Sequence, residues 1–358
     1  MNRRVILTTG GTGGHIFPAL AVAESLRAQG AECLFVGSRR GPEAHWAEKA
    51  GLEFVGLPVR GVLGRGLRSV AALGGMGLSV FTSLKLLRCW KPDVVAGFGA
   101  YASAAPLLAA AIRGVPILVH EQNAFPGLTN RLLGRLAKRI CLSLPVDGDV
   151  FERSKCVRTG NPVRASILRV REASAQPHEA PRLLIMGGSQ GARAINSVIL
   201  AGLTRLLDAG IELRHQTGQA DYERVVAGYA AFGHSIENVT PFIDDMAEAY
   251  AWADLVLSRA GATSVAELAV AGKPALFIPF PHATHDHQTR NAQAVRRDGA
   301  AMMITEKELA HKDAVGTLLL LLEDRDQLGV MSRAALDLAS PDAAGNVARE
   351  ILALESFR

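Results

Sequence analysis

Short β-rich runs alternate with helix-length amphipathic segments along the whole chain. Residues 5–9, 33–37, 94–97, 117–120 and 140–143 are mostly apolar, uncharged runs that predict buried strands; residues 16–29, 102–113 and 128–137 predict helices between them. A polar, broken stretch over 164–180, with Gln176-Pro177 and Ala180-Pro181 near its end, interrupts the pattern. It then restarts. Strands are expected at 183–186, 213–216, 255–258, 275–278 and 302–304, and helices at 192–207, 264–271 and 288–298, with a closing helix at 343–354. Such alternation belongs to parallel sheets with crossover helices, and hence to the α/β class. The expected organisation is a first domain over 1–161, a second over 162–340, and a C-terminal helix within 341–358 that packs back on the first domain.

The two halves echo each other. The first strand of each runs into glycines, Gly10-Gly11-Thr12-Gly13-Gly14 in one and Gly187-Gly188-Ser189-Gln190-Gly191 in the other. A later strand of each runs into a small-residue loop, Gly97-Phe98-Gly99-Ala100-Tyr101-Ala102-Ser103 and Ser258-Arg259-Ala260-Gly261-Ala262-Thr263-Ser264. Two Rossmann-like domains with parallel sheets facing across a cleft are the natural picture, with ligands at the carboxyl ends of the strands. Glycine-rich turns at helix N-termini bring backbone N–H groups against a phosphate. The P-loop pattern is absent. The dinucleotide fingerprint also fails, because Ile16 stands at its third glycine and the next strand ends at Gly37-Ser38 with no carboxylate for an adenosine ribose.

Charge and composition narrow the class. An apolar fraction of 49% over 358 residues is ample for two cores without disulfides. Cys33, Cys89, Cys141 and Cys156 show no C-x-x-C pair and no zinc spacing, so free buried thiols of a reducing compartment are expected. Arg3 and Arg4 precede only three apolar residues before Thr8, short of the roughly 7–15 that an export signal needs. Residues 94–112 carry no charge, yet Gly97, Gly99 and Pro106 break them, which fits a strand, a turn and a helix better than a membrane span. Net charge is +10 over residues 1–160 and −5 beyond, so the first half should face something anionic. Between Phe54 and Pro92 lie Arg60, Arg65, Arg68, Lys85, Arg88 and Lys91 with no acidic residue, interleaved with Leu67, Phe81, Leu84 and Trp90. That mixture suits an anionic bilayer surface; a helix with a solvated basic face is the alternative.

Candidate chemistry gathers at the predicted strand ends. His15 opens a helix, where the positive end of the dipole disfavours an imidazolium, and a neutral imidazole is what a general base needs. His120-Glu121-Gln122-Asn123 place four polar groups where a buried strand ends, either for function or as loop caps. Glu267 follows Thr263 by four residues, and a carboxylate there could accept both hydroxyls of a ribose; an exposed helix glutamate is the bland alternative. His282, His285, Asp286 and His287 match no zinc spacing, and no D-x-D lies near the glycine loops. Asp244-Asp245 reads as a turn before a helix.

Seven motifs run in order over about three quarters of the chain: GGTGGHIFPALAVA from Gly10, GFGAYAS from Gly97, HEQN from His120, GNPVR from Gly160, GGSQGAR from Gly187, FIDDM from Phe242 and SRAGATSVAE from Ser258. In these the chain closely resembles the MurG family, the bacterial transferases that complete the lipid-linked peptidoglycan disaccharide. The resemblance implies a GT-B fold and inverting transfer of N-acetylglucosamine from UDP-GlcNAc to the 4-hydroxyl of lipid I, giving lipid II, with no cofactor and no required metal. Carried over by motif, donor contacts fall on Thr12, Gly13, Gly14, Asn123, Arg164, Ser189, Ile243, Ala262, Thr263, Ser264, Val265, Ala266, Glu267, Gln288 and Asn291. Glu267 would hold the ribose, the Ile243 backbone the uracil, and Ser189 and Ser264 the phosphates. His15 is the candidate base and Glu121 the runner-up. The first domain would hold the acceptor and meet anionic inner-membrane lipid through Arg65, Leu67, Arg68, Phe81, Leu84, Lys85 and Arg88, peripherally and on the cytoplasmic face. Cell-wall and division proteins are further expected partners, and nucleic acid is not. The chain has Ala100 where the family pattern has glycine, and His287 where it has glutamine. Two other readings stay open: a GT-B transferase with another lipid acceptor, and a non-catalytic UDP-sugar-binding scaffold.

Overall fold

The computed structural model describes residues 3–59, 68–146, 148–171, 178–188, 191–283 and 286–354, without the side chains of 68–73. The chain forms two compact units, residues 1–164 together with 341–358, and residues 165–340.

In the first unit the strands are β1 (Arg4–Thr8), β2 (Glu32–Ser38), β3 (Glu53–Leu57), β4 (Val94–Gly97), β5 (Ile117–Glu121), β6 (Arg139–Leu142) and β7 (Cys156–Arg158). They form one sheet in the order β3-β2-β1-β4-β5-β6-β7, parallel at every pairing. The helices are α1 (Gly13–Ala28), α2 (Glu43–Lys49), α3 (Arg68–Trp90), α4 (Ala104–Ile112) and α5 (Leu128–Leu133). Alternate side chains of each strand point to opposite faces. Val5 and Leu7 therefore join Ile16, Val22 and Leu26 of α1 in one core, while Ile6 joins Val36, Val95 and Leu107 in the other. A strand buried on both faces must be apolar at every position, which is why β1 was legible as an unbroken run.

The second unit repeats the plan. Its strands β8 (Arg182–Met186), β9 (Glu212–Gln216), β10 (Val239–Thr240), β11 (Leu255–Ser258), β12 (Ala275–Phe277) and β13 (Ala301–Met303) form a parallel sheet in the order β10-β9-β8-β11-β12-β13. Its helices are α6 (Ala165–Leu168), α7 (Arg193–Asp208), α8 (Tyr222–Ala231), α9 (Met246–Trp252), α10 (Ala262–Val270), α11 (His287–Arg297), α12 (Ala314–Glu323) and α13 (Arg325–Leu338). The final helix, α14 (Ala343–Ala353), returns to the first unit, where Val347, Ala348 and Ile351 enter the core that holds α1. Asn346 Nδ2 donates to Thr159 O at 3.2 Å and Arg3 Nη1 to Leu354 O at 3.0 Å, fastening both of its ends.

Several elements differ from the sequence reading. Helix α5 stops at Leu133 instead of continuing to 137, and Gly134, which follows it, lies against the Phe151 ring, where a Cβ would come within 2.8 Å. Strands β3, β7 and β10 were not expected. The first two are edge strands of half-buried residues with Gly56 inside β3, and the third has only two residues. The long α3 was read only as a basic, apolar segment. Of the thiols, only Cys141 is buried, while Cys89 is exposed.

Candidate active site

In each sheet the chain reverses its direction of winding between two neighbouring strands, β1 and β4 in the first and β8 and β11 in the second. Loops leaving such a pair diverge and leave a crevice at the carboxyl edge. The glycine loops lie at these two places.

In the first unit, β1 leads through Gly10–Thr12 into α1, whose N-cap Thr12 makes no side-chain cap bond. His15 sits in the first turn. Its Nδ1 lies 3.0 Å from Phe98 O and 3.2 Å from Gln122 Oε1, while Gln122 Nε2 donates to Phe98 O at 3.0 Å. The loop after β4 comes close to the imidazole: a Cβ on Gly99 (φ +86°) would meet Nδ1 at 3.2 Å. Ala100 follows at φ 62°, ψ 167°, a region that suits glycine and costs a residue with a Cβ about 1–3 kcal/mol. Strain is thus held beside His15.

Glu121, at the end of β5, is 1% exposed. Its Oε1 accepts from Asn123 N at 3.0 Å and Asn123 Nδ2 at 3.2 Å, and its Oε2 from Gly127 N at 3.0 Å and Asn130 Nδ2 at 2.8 Å. Four donors fill the four lone-pair positions of a carboxylate. That arrangement pins the loop from Asn123 to Asn130 and leaves no site for a substrate proton. His120 is fully buried and meets Gly160 O through Nε2 at 3.1 Å, and desolvation drives its pKa down to about 4, so the ring is neutral. Glu43, at the start of α2, accepts from Gly11 N at 2.9 Å, and burial raises its carboxyl above the usual range. Arg164 lies over the Phe17 ring at 5.0 Å.

In the second unit Gln216, at the end of β9, plays the part that Glu43 plays in the first. Its Oε1 accepts from Gly188 N at 3.0 Å, and its Nε2 donates to Gly188 O at 3.1 Å and Pro241 O at 3.0 Å. One side chain thereby ties the glycine loop to the segment carrying half-buried Ile243. Helix α10 begins at Gly261 without a side-chain cap, and α7 likewise at Ala192. Elsewhere in this unit α9, α12 and α13 are capped by Asp245, Asp313 and Asp324, while α8 and α11 also begin without a side-chain cap. Ala262, Thr263, Ser264, Val265, Ala266 and Glu267 all lie on α10. Glu267 is not the exposed helix glutamate of the bland reading. It is buried, and its Oε2 accepts from Tyr250 OH at 3.1 Å. Gln288 Oε1 accepts from Phe280 N at 3.0 Å. Asn291 is wholly buried and donates to Ala260 O at 3.1 Å, so it steadies the entry to α10 from behind.

Ser189, Arg65, Leu67 and His285 lie outside the described residues, as does the side chain of Arg68. On α3, Leu78, Phe81, Lys85 and Arg88 are exposed, Phe81 by 68%. They recur at helical spacing and form one stripe. Leu84, expected among the membrane contacts, lies off it, half-buried against the core. Among the described residues no helix is long and apolar enough to cross a membrane. Gln122, Glu43, Gln216 and Tyr250 escaped the sequence reading as functional positions. Only Gln122 carried a signal, as part of the polar quartet after β5.

The N-terminal domain model of glycosyltransferase family 28 matches residues 5–142, and the C-terminal domain model of the same family matches residues 182–347. The chain belongs to glycosyltransferase family 28. A family relative from Nitratidesulfovibrio vulgaris is 54% identical over 96% of this chain and 95% of its own length. It is named UDP-N-acetylglucosamine--N-acetylmuramyl-(pentapeptide) pyrophosphoryl-undecaprenol N-acetylglucosamine transferase. A relative from Lawsonia intracellularis, 50% identical over 99% of both chains, bears the same name. The crystal structure of Acinetobacter baumannii MurG matches with a TM-score of 0.79 at 35% identity, over 98% of this chain and 100% of that one. The resemblance read from seven motifs therefore extends over the whole chain.

The geometry at Glu121 makes a prediction about stability. Glu121→Gln turns one acceptor into a donor that faces donors, and hydrogen bonds to a charged group contribute about 1.5–3 kcal/mol each. The variant should lose at least roughly 2 kcal/mol against chemical denaturation. An unchanged midpoint would show that the carboxylate does not hold the loop.

Proposed function

We propose that this chain transfers N-acetylglucosamine from UDP-GlcNAc to the 4-hydroxyl of lipid-linked N-acetylmuramoyl-pentapeptide, completing the disaccharide of the peptidoglycan precursor lipid II. The observation that carries this reading is 54% identity, over 96% of the chain, to a transferase named for that reaction. The donor sugar is α-linked and the product β-linked, so a single displacement inverts the anomeric carbon. The acceptor hydroxyl must lose a proton and the UDP leaving group must be stabilised. His15 supports the first task, because its Nδ1 faces two acceptors and its lone pair is therefore on Nε2. Helix N-termini without side-chain caps support the second, since the positive end of a helix dipole favours an anion.

In this reading Thr12, Gly13, Gly14, Asn123 and Arg164 serve the donor from the first unit. Ser189 and Ser264 meet its phosphates, the Ile243 backbone meets uracil, and Glu267, held by Tyr250, accepts from the ribose. Gln288 reaches the sugar, while Asn291 and Glu121 support the loops rather than touch substrate. The first unit holds the lipid acceptor. The protein attaches to the membrane peripherally, through the stripe of Leu78, Phe81, Lys85 and Arg88.

Incubation of the pure protein with UDP-GlcNAc and a short-chain lipid I analogue should give a β-linked disaccharide product by mass and anomeric configuration. His15→Ala should lower kcat by about 10²–10⁴-fold, the scale of a lost general base, with little change in donor affinity. No sugar transfer by the wild type would favour a UDP-sugar-binding scaffold, and near-normal turnover in the variant would remove His15 from the mechanism.

The membrane reading has its own test. Each basic residue near an anionic surface contributes about 1 kcal/mol, a term that salt weakens. Replacing Phe81 with Ser and both Lys85 and Arg88 with Gln should release the protein from anionic vesicles while turnover of a water-soluble acceptor analogue persists. Sedimentation equal to wild type would show that the stripe is only a solvated face.

A further inference from the structure

We infer that Gln122 is the positioning residue that keeps the His15 proton on Nδ1 and so presents Nε2 to the acceptor hydroxyl. The inference rests on His15 being the base. Its ground is the set of contacts that His15, Gln122 and Phe98 make with one another. The carbonyl oxygen of Phe98 can only accept. The Gln122 amide lies with Nε2 at 3.0 Å from that oxygen, so its Oε1 is the atom turned to His15 Nδ1 at 3.2 Å. Reversing the amide would set Oε1 against the Phe98 oxygen, acceptor against acceptor. His15 Nδ1 also lies 3.0 Å from Phe98 O. Facing two acceptors, Nδ1 must carry the hydrogen, and the neutral ring then has its lone pair on Nε2.

Burial makes this arrangement rigid. Gln122 is 1% exposed, so no bulk water competes for its amide. The residue before it, Glu121, is locked by four hydrogen bonds, which fixes the backbone from which Gln122 projects. Gly99 supplies the space: a Cβ there would lie 3.2 Å from Nδ1 and 3.3 Å from Cε1 of His15.

The chemistry of the partner also matters. A carboxylate at this place would orient the ring equally well but would favour the imidazolium, which cannot accept a proton. A neutral amide orients without adding charge. The N-terminus of α1 also disfavours positive charge on the ring. When Nε2 takes the acceptor proton, the Nδ1–H bonds to Gln122 and Phe98 become charge-assisted and stronger, so the same two oxygens support the transition state.

The test is Gln122→Met, which keeps length and removes both polar atoms, alongside wild type and His15→Ala. The variant should lose about 10- to 100-fold in kcat, short of the roughly 10⁴-fold cost of a fully misplaced tautomer because Phe98 O remains. The KM for UDP-GlcNAc should stay within about twofold. The acidic limb of kcat/KM should move to lower pH, since the protonated ring has lost an acceptor. Nitrogen-15 NMR of the imidazole in the intact wild-type chain should show His15 protonated on Nδ1, and in Gln122→Met a second, Nε2-protonated form. Wild-type His15 protonated on Nε2 overturns the inference whether or not the variant folds. So does a loss of turnover with neither the pH limb nor the tautomer changed, which would mark Gln122 as merely structural. Normal turnover of Gln122→Met beside an inactive His15→Ala overturns this inference alone, whereas normal turnover of His15→Ala overturns both it and the base.

Discussion

A parallel strand that runs directly into a helix must turn within a few residues, and only a few backbone bonds, such as Gly187 N to Gln216 O and Phe98 N to Thr8 O, still tie the turn to the sheet. Everything functional in this chain depends on how those turns are held. The glycines allow backbone to approach a ligand but supply nothing to fix their own position. Buried polar side chains do it instead. Glu43 accepts from Gly11 in the first unit and Gln216 brackets Gly188 in the second, each reaching from the neighbouring strand or from the helix that follows it. Asn291 holds Ala260 before α10, and Glu121 holds the loop after β5. A buried polar group is costly unless paired, so each such clamp fixes the turn and satisfies itself at once.

This scheme explains how the two units share a strand order while their chemistry differs. In the second, the clamps tie a glycine loop to the segment around Pro241 and leave α10 to begin on Gly261 without a side-chain cap, an arrangement suited to an anionic diphosphate. In the first, the corresponding region closes on an imidazole. His15 is held through Nδ1 by Phe98 and Gln122, and the adjoining Ala100 takes a backbone conformation that a Cβ resists. The strain sits within the loop that approaches His15, the proposed base, as expected where local structure serves a reaction more than stability.

What the sequence made legible follows from the same physics. The central strands β1, β4, β8 and β11 are covered on both faces, so they read as unbroken apolar runs, and the glycine loops that follow them read directly. Edge strands such as β3 and β7 are half-buried and lack that signature. Periodicity could not tell that α5 would end at Leu133, nor that Leu84 packs on the core while Phe81 does not, because the rotation of a helix is decided by what packs on it. The sequence ranked His15 ahead of Glu121 as candidate base but could not foresee the four donors that occupy the Glu121 carboxylate. Glu43 and Gln216 gave no signal, since their partners are backbone atoms distant in sequence.

In the proposed reaction, backbone amides and helix dipoles, held in place by buried side chains, stabilise the departing UDP without a divalent cation. The most direct measurement is turnover of UDP-GlcNAc with a short-chain acceptor after exhaustive chelation. The account predicts that a large part of the activity persists. Complete loss, restored only by Mg²⁺ or Mn²⁺, would contradict it.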